Sequence, residues 1–401
     1  MSLPFFFCAL LADPDLRDVV LGHPRANAAA RPAKLPDHRL VTTQPGGPVQ
    51  IQPAPGAEVA GQLATGLGRN ALGRLRDYAQ LAQLRIAEVT VVTSQGRTIA
   101  WSALPPELPQ PSDLSRPPEG QSNAAPAAPT EWRSDPLQRA IALAAASELM
   151  DHRDLPVEAR PQLRHAVGIR ALARAAAACT TPTVALRTGL RRSAIRQAPP
   201  ERSHSGFFAV DTLELQHPRF DGTLSQSIRR EVFVSGDAVT VLPWDPERDL
   251  VLLVEQWRAG PHARGDAVPW TLEPVAGRRD AHETPEATAR REAQEEAGLT
   301  LGRLAHVASY YPSPGIAAEH VESFVAEADL SQAGGIHGRE DEAENIRAIV
   351  IPLERALHGI RTGEIATAPS VLSLLWLRAE RARLRAEWAR ASSHGLDTTG
   401  G

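Results

Sequence analysis

The stretch that most narrows what this chain can be is residues 277–299, GRRDAHETPEATARREAQEEAGL. It reads as a loop, a helix and a stop. Thr284 suits an N-cap, and Pro285 suits the first helical position, where its missing N–H is no loss. Gly298 suits the exit, where a left-handed residue is common. Between them Glu292, Glu295 and Glu296 stand three and four residues apart, which puts their side chains on one helical face. Like charges at that spacing weaken a helix by roughly a few tenths of a kcal/mol per pair. A bare cluster of this kind is an ordinary solvated acidic face unless a cation offsets the repulsion. Hard carboxylate oxygens suit Mg²⁺, with Mn²⁺ as a substitute.

The full spacing points to the cation. Gly277 is followed by five residues, Glu283, seven residues, Arg291-Glu292, an apolar residue, any residue, Glu295-Glu296, any residue, Gly298 and an apolar residue. This pattern resembles the signature of the Nudix hydrolases at every specified position. The resemblance implies hydrolysis of a diphosphate linked to another group, on an α/β/α sandwich with a mixed sheet over residues 199–390. The flanks narrow it. LVEQWR at 253–258, PWTLEPVAG at 269–277, YYPSPG at 310–315, IHGREDEAENIR at 336–347 and PSVLSLLWL at 369–377 are similar to the ADP-ribose pyrophosphatases and to Nudix proteins associated with tellurite resistance. The activity so implied is cleavage of ADP-ribose to AMP and ribose 5-phosphate. The alternatives are a pyrophosphatase for another nucleoside diphosphate derivative, such as NADH or a nucleotide sugar, or a stress-response (tellurite resistance) protein whose N-terminal domain binds gamma-glutamyl compounds.

The same resemblance assigns residues. The carbonyl of Ala276 with Glu292, Glu296 and Glu344 is expected to hold the metal, Glu342 to activate the attacking water, and Glu295 and Arg291 to serve catalysis beside them. Arg230, Arg258 and Arg278 are expected on phosphate or ribose, where a guanidinium offers forked donors. Glu231 and Glu319 are expected as polar contacts, and Ser313, Pro314 and Gly315 beside the terminal ribose. Phe207 and Phe208 match a pair that reaches across a homodimer to stack on adenine. Two positions depart from the family: Ser235 replaces an arginine, and Ile316 replaces a glycine.

At 401 residues the chain exceeds one ordinary core, and several domains are expected. Residues 1–103 read as a small α/β unit, with strands at 3–11, 39–43, 59–65, 88–93 and 97–103 and helices at 15–21 and 70–82. FFFCALLADPDLRDVVLG and PAPGAEVAGQL resemble the gamma-glutamylcyclotransferase-like (AIG2-like) α/β barrel. That family's Tyr-Gly-small-Leu loop appears as Phe7-Cys8-Ala9-Leu10, and its catalytic glutamate is absent from Arg76-Asp77-Tyr78-Ala79-Gln80, so the resemblance implies a unit inactive in that chemistry. Residues 104–130 read as a Pro-rich linker, 131–198 as a helical extension packed on the first domain, and 391–401 as a frayed tail. The fold class is therefore α+β. A net charge of −4 gives no basic field for nucleic acid. Two lone cysteines and no span-length apolar run fit a cytoplasmic protein without a membrane segment.

Overall fold

The computed structural model describes residues 4–22, 30–42, 49–104, 136–153, 160–180, 185–280, 283–340 and 343–394. Contacts divide the chain into two compact units, Met1–Arg229 and Arg230–Gly401. Residues 199–229, placed by the sequence reading at the start of the second domain, cluster with the first unit.

The first unit opens with β1 (Phe5–Phe7), α1 (Pro14–Leu21), β2 (Ala30–Thr42), β3 (Val49–Ala64), α2 (Arg69–Leu81), β4 (Arg85–Thr93) and β5 (Gly96–Leu104). The strands close a barrel in the order β1-β3-β2-β4-β5. Alternation along β1 decides the layers: Phe6 packs with Leu35, Val59, Val91 and Ala100, whereas Phe5 and Phe7 face Leu16, Val20, Leu75 and Tyr78 of the helices. The expected strand over 3–11 stops at Phe7. Ala9 turns to φ 49° and opens a short 3-10 stretch over Ala9–Ala12, because Asp13 must cap α1, its Oδ1 accepting from the N–H groups of Asp15 at 3.0 Å and Leu16 at 3.1 Å.

β2 and β3 are much longer than expected. Prolines 32, 36, 53 and 55 disguised them as loop, since proline cannot donate to a sheet ladder. The pair accommodates them with a bulge between Pro36 and His38, where Asp37 adopts φ 58° and its carboxylate takes the Gly56 N–H at 2.9 Å. The Pro-rich linker lies outside the described residues.

Two further helices, α3 (Pro136–Asp151) and α4 (Arg160–Cys179), pair through Ile141, Ala171, Leu172 and Ala175. Ala146 and Met150 of α3 join the core of the barrel's helices, and Arg139 Nε meets Asp13 Oδ2 at 2.9 Å. β6 (Arg196–Gln197), β7 (Glu201–Ser205) and β8 (Ala209–Gln216) follow as antiparallel strands, β8 lying between the other two. β9 (Ile228–Val234) crosses the division between the units.

The second unit comprises β10 (Ala238–Asp245), β11 (Leu250–Trp257), α5 (Ala259–Arg264), β12 (Trp270–Glu273), β13 (Val275–Arg278), α6 (Pro285–Ala297), β14 (Leu304–Tyr310), β15 (Val321–Glu327), β16 (Gly335–His337), β17 (Ile346–Pro352), α7 (Leu353–Thr362) and α8 (Ala368–His394). The eight strands form one mixed sheet in the order β14-β15-β10-β11-β17-β16, with β12 on β11 and β13 on β10. β10 and β15 are the parallel pair at its centre, in register from Ala238↔Val321 to Trp244↔Glu327.

Both faces of the sheet are buried. Val239, Val241, Leu252 and Val254 pack under Ala289, Ala293 and Ala297 of α6. Their neighbours Leu242, Trp244, Val251 and Leu253 pack under α7 and α8 through Leu353, Leu357, Leu374, Leu377 and Trp388. The α6 row is alanine at every fourth residue, so this helix lies close to the sheet. Among the described residues, no helix is long and apolar enough to cross a membrane.

Candidate active site

α6 is set by local chemistry at both ends. Thr284 Oγ1 accepts the Ala287 N–H at 3.2 Å and Pro285 fills the first position. Gly298 leaves the helix at φ 63°, and the Leu299 N–H closes back on Ala293 O at 3.0 Å. Its polar edge then faces β13. Glu296, 3% exposed, accepts the Ala276 N–H on Oε2 at 3.0 Å. Glu292 presses on the backbone of Gly277, where an added β-carbon would stand 1.7 Å from Oε1 and 2.0 Å from Cδ. Only glycine admits that carboxylate.

Arg291 ties the acidic edge together. Its Nε and Nη2 grip the two oxygens of Glu283 at 2.7 and 3.0 Å, while Nη1 reaches Glu292 Oε1 at 2.7 Å and Glu295 Oε2 at 3.2 Å. Nη2 also donates to Arg278 O at 3.1 Å. Thr288 Oγ1 adds a hydrogen bond to Glu283 Oε2 at 2.8 Å. Arg291 was expected to serve catalysis; in the structure its guanidinium holds three carboxylates and a carbonyl in place. Glu283 carries its share of that clamp, and the sequence reading did not give it a site role although it occupies a fixed position of the motif.

The electrostatics are uneven. Burial pushes the Glu296 carboxyl up to about 8, with the Ala276 N–H opposing and the Glu292 charge adding to the rise. Burial likewise pushes Glu292 up to about 7, against the pull of Arg291 and with Glu295 and Glu344 repelling. For Glu283 burial works upward too, but the Arg291 and Thr288 hydrogen bonds overcome it and hold the group below the usual carboxylate range.

Glu344 Oε2 accepts the Arg339 N–H at 3.2 Å, and its charge is felt by Glu292, Glu296 and Arg258. Arg339 also approaches Glu295, Nη1 to Oε1 at 3.5 Å. Among the described residues, no three His, Cys, Asp or Glu side chains converge closely enough to hold a metal as they stand. The donor chemistry nonetheless fits a hard dication: the buried Glu296 and the part-buried Glu292 repel each other, and a cation between them would relieve both desolvation and repulsion.

The other expected site residues fall into three places. Arg258, at the end of β11, gives Nε and Nη2 to Glu273 at 3.0 and 2.8 Å, a partner the sequence reading missed although it lies in PWTLEPVAG. Arg278 Nη1 meets Glu319 Oε1 at 2.5 Å, Gly236 O at 3.1 Å and Ser235 Oγ at 3.3 Å, so one of the two departures from the family pattern sits against an expected ligand residue. Ser313 opens a tight turn through Pro314 and Gly315, its carbonyl accepting from Ile316 N at 3.2 Å and Ala317 N at 2.9 Å. Phe233 seals that turn to β9, donating to Ile316 O at 2.8 Å and accepting from Ala318 N at 2.9 Å. Arg230 and Glu231 are exposed on β9. Phe207 and Phe208 lie in the first unit, in the turn before β8, with ring centroids 4.9 Å apart and Phe207 half exposed. Glu342 lies outside the described residues.

Comparison with known proteins bears on this geometry. The NUDIX domain family matches residues 234–370. A curated ADP-ribose pyrophosphatase of Escherichia coli (strain K12) is 42% identical over 189 residues, which is 47% of this chain and 90% of that protein. The ADP-ribose pyrophosphatase of Haemophilus influenzae is 37% identical over 190 residues, 47% of this chain and 88% of that one. A GDP-mannose pyrophosphatase of Citrobacter koseri is 38% identical over 152 residues, 37% of this chain and 77% of that one.

Proposed function

The chain belongs to the NUDIX family, and from that premise we propose that it is a metal-dependent hydrolase that splits ADP-ribose into AMP and ribose 5-phosphate. The observation that carries this reading is the pair of carboxylates set against β13: Glu292, held by Arg291, lies on Gly277, and Glu296 accepts the Ala276 N–H. Ala276, Glu292, Glu296 and Glu344 are the residues that would hold the cation, Mg²⁺ or Mn²⁺. When bound, it neutralises phosphate charge and lowers the pKa of a coordinated water.

Hydrolysis forms one bond from water oxygen to phosphorus and breaks one bridging P–O bond; Glu342 takes the proton from the water and Glu295 sits beside the exchange. Arg230, Arg258 and Arg278 meet phosphate or ribose oxygens, Arg258 through Nη1, the nitrogen not given to Glu273. Glu231 and Glu319 make polar contacts to the ligand, and the turn at Ser313, Pro314 and Gly315 lies beside the terminal ribose. Phe207 and Phe208 stack on adenine in a homodimer.

A panel of ADP-ribose, GDP-mannose and NADH, with and without Mg²⁺ or Mn²⁺, tests the reading through release of the nucleoside monophosphate, AMP from ADP-ribose or NADH and GMP from GDP-mannose. Metal-dependent AMP from ADP-ribose is expected. Cleavage of GDP-mannose alone would favour the nucleotide-sugar alternative, to which the GDP-mannose pyrophosphatase relatives lend some support.

The buried acids give a second expected outcome. Folded values near 7 for Glu292 and near 8 for Glu296 exceed the ordinary 4.5. The folded chain keeps protons that the unfolded chain has released. The stability this confers is full below 4.5 and is lost as pH rises through about 7 and about 8. Without metal, the unfolding midpoint therefore falls from about pH 6 to about pH 8.5, and Mg²⁺ raises it more at the higher pH. Equal Mg²⁺ shifts at both values would mean the cation binds elsewhere.

The barrel is proposed to be a cyclotransferase-like module without cyclotransferase chemistry. Cys8 is buried against Ser102, its thiol pushed up to about 11 by burial, so it offers no thiolate. Tyr78, in the segment where the glutamate is missing, is buried in the core and pushed up to about 12.

A further inference from the structure

Within the first unit, five side chains that the hydrolytic reading does not use form an ionic network centred on a buried pair. Glu148 of α3 and Arg170 of α4 are 2% and 0% exposed and meet at 2.6 Å. Arg202 of β7 joins Glu148 at 2.8 Å and Asp211 of β8, and Arg174 of α4 reaches Asp211 at 3.3 Å. His152 Nε2 adds a contact to Ser205 Oγ at 2.8 Å. Fully desolvated charges are costly to assemble, and their best-attested return is a fixed register between elements.

What this network fixes is specific. Arg170 spends Nε on Glu148 and points Nη1 at the carbonyls of Gly206 and Phe207, at 3.3 and 2.7 Å. These carbonyls belong to the turn that carries Phe207 and Phe208, already closed by the Gly206 N–H on Phe208 O at 2.8 Å. The main chain of the turn is thus held from inside the protein, while the Phe207 ring, edge-on to Phe208, stays 52% exposed. A half-exposed aromatic on an immobilised backbone is a pre-organised stacking surface, since less ordering is left to be done on binding.

We propose that Arg170 is a positioning residue for base recognition: α3 and α4, which lie outside residues 234–370 matched by the family, lock the Phe207–Phe208 turn in its stacking conformation. This rests on the reading that Phe207 and Phe208 contact adenine. It gives the fused helical segment a task in the hydrolase, because the guanidinium that fixes the turn comes from α4.

Steady-state kinetics on the full-length chain with ADP-ribose and Mg²⁺ test it. Phe207→Ala is expected to raise KM about 5- to 100-fold, the range for loss of base–aromatic stacking, with kcat within about threefold. The charge-neutral pair Glu148→Gln/Arg170→Gln is expected to raise KM in the same direction with kcat equally spared, and to add nothing further in the Phe207→Ala background. Arg170→Lys, which keeps the charge beside Glu148 and one donor, is expected to restore part of the affinity.

A folded pair variant with parental KM, or an effect that multiplies fully with Phe207→Ala, overturns the proposal and leaves adenine stacking standing. A parental KM in Phe207→Ala itself removes the stacking reading and this proposal with it. Should the pair variant unfold, Arg170→Lys decides: a KM raised with kcat unchanged supports the role, and a parental KM refutes it.

Discussion

Glu296→Gln lowers kcat on ADP-ribose by about a thousandfold or more while the protein stays folded. The size follows from what the carboxylate does in the proposed site: losing a charged ligand of the cation removes transition-state stabilisation worth several kcal/mol, at roughly 1.4 kcal/mol per tenfold. The fold should survive because the amide oxygen of glutamine can take over the Ala276 N–H, which Glu296 accepts at 3.0 Å. It also removes a charge that burial disfavours, since the group is pushed up to about 8. Metal-free Glu296→Gln should therefore unfold at or above the parental temperature at about pH 9, and the Mg²⁺-dependent rise should vanish. Calorimetry with chelator and with Mg²⁺, beside a kcat measurement, reads both halves. A variant with kcat within threefold of the parent would remove Glu296 from the ligand set.

Arg291→Gln costs both stability and rate. Glu283 is 12% exposed at its side chain and Glu292 13%, and both lose their cationic partner at once. Leaving a buried carboxylate unpaired costs about 3–5 kcal/mol; with Arg291 itself 29% exposed, a discounted loss of about 2–4 kcal/mol is expected. For a domain of this size that is a fall of about 5–15 °C in the unfolding midpoint. kcat should drop about a hundredfold, because Glu292 is no longer held against Gly277. Arg291→Lys should recover little, since one ammonium cannot span Glu283, Glu292 and Glu295 as the planar fork does. An unchanged melting curve for Arg291→Gln would show that the clamp is dispensable.

The two variants separate because one residue offers ligands and the other aligns them, and that difference marks where reading the chain as text runs out. The helix over 285–297 was legible from end to end, because a cap, a proline and a glycine state their roles locally. The clamp was hidden, because the motif gives Glu283 and Arg291 a spacing of eight residues but not that a loop folds back to join them. The long β2–β3 hairpin was hidden by its prolines, which a bulge at Asp37 absorbs. Arg170 gave no signal at all, being one of several arginines on an Ala-rich helix, with its carbonyl partners 36 and 37 residues away. Contacts of that range are written in tertiary structure alone.

The alanine row of α6 sets a limit on how this site can drift. Ala289, Ala293 and Ala297 serve as a spacer of fixed thickness between helix and sheet. A larger side chain in that row would push the helix outward by about the width of its added carbons, with a strain of about 1–3 kcal/mol. Glu292 and Glu296 would then lift away from Gly277 and Ala276 without either glutamate being altered. The tolerance of this centre to change is thus governed from the dry side of its helix, by the smallest side chains in it.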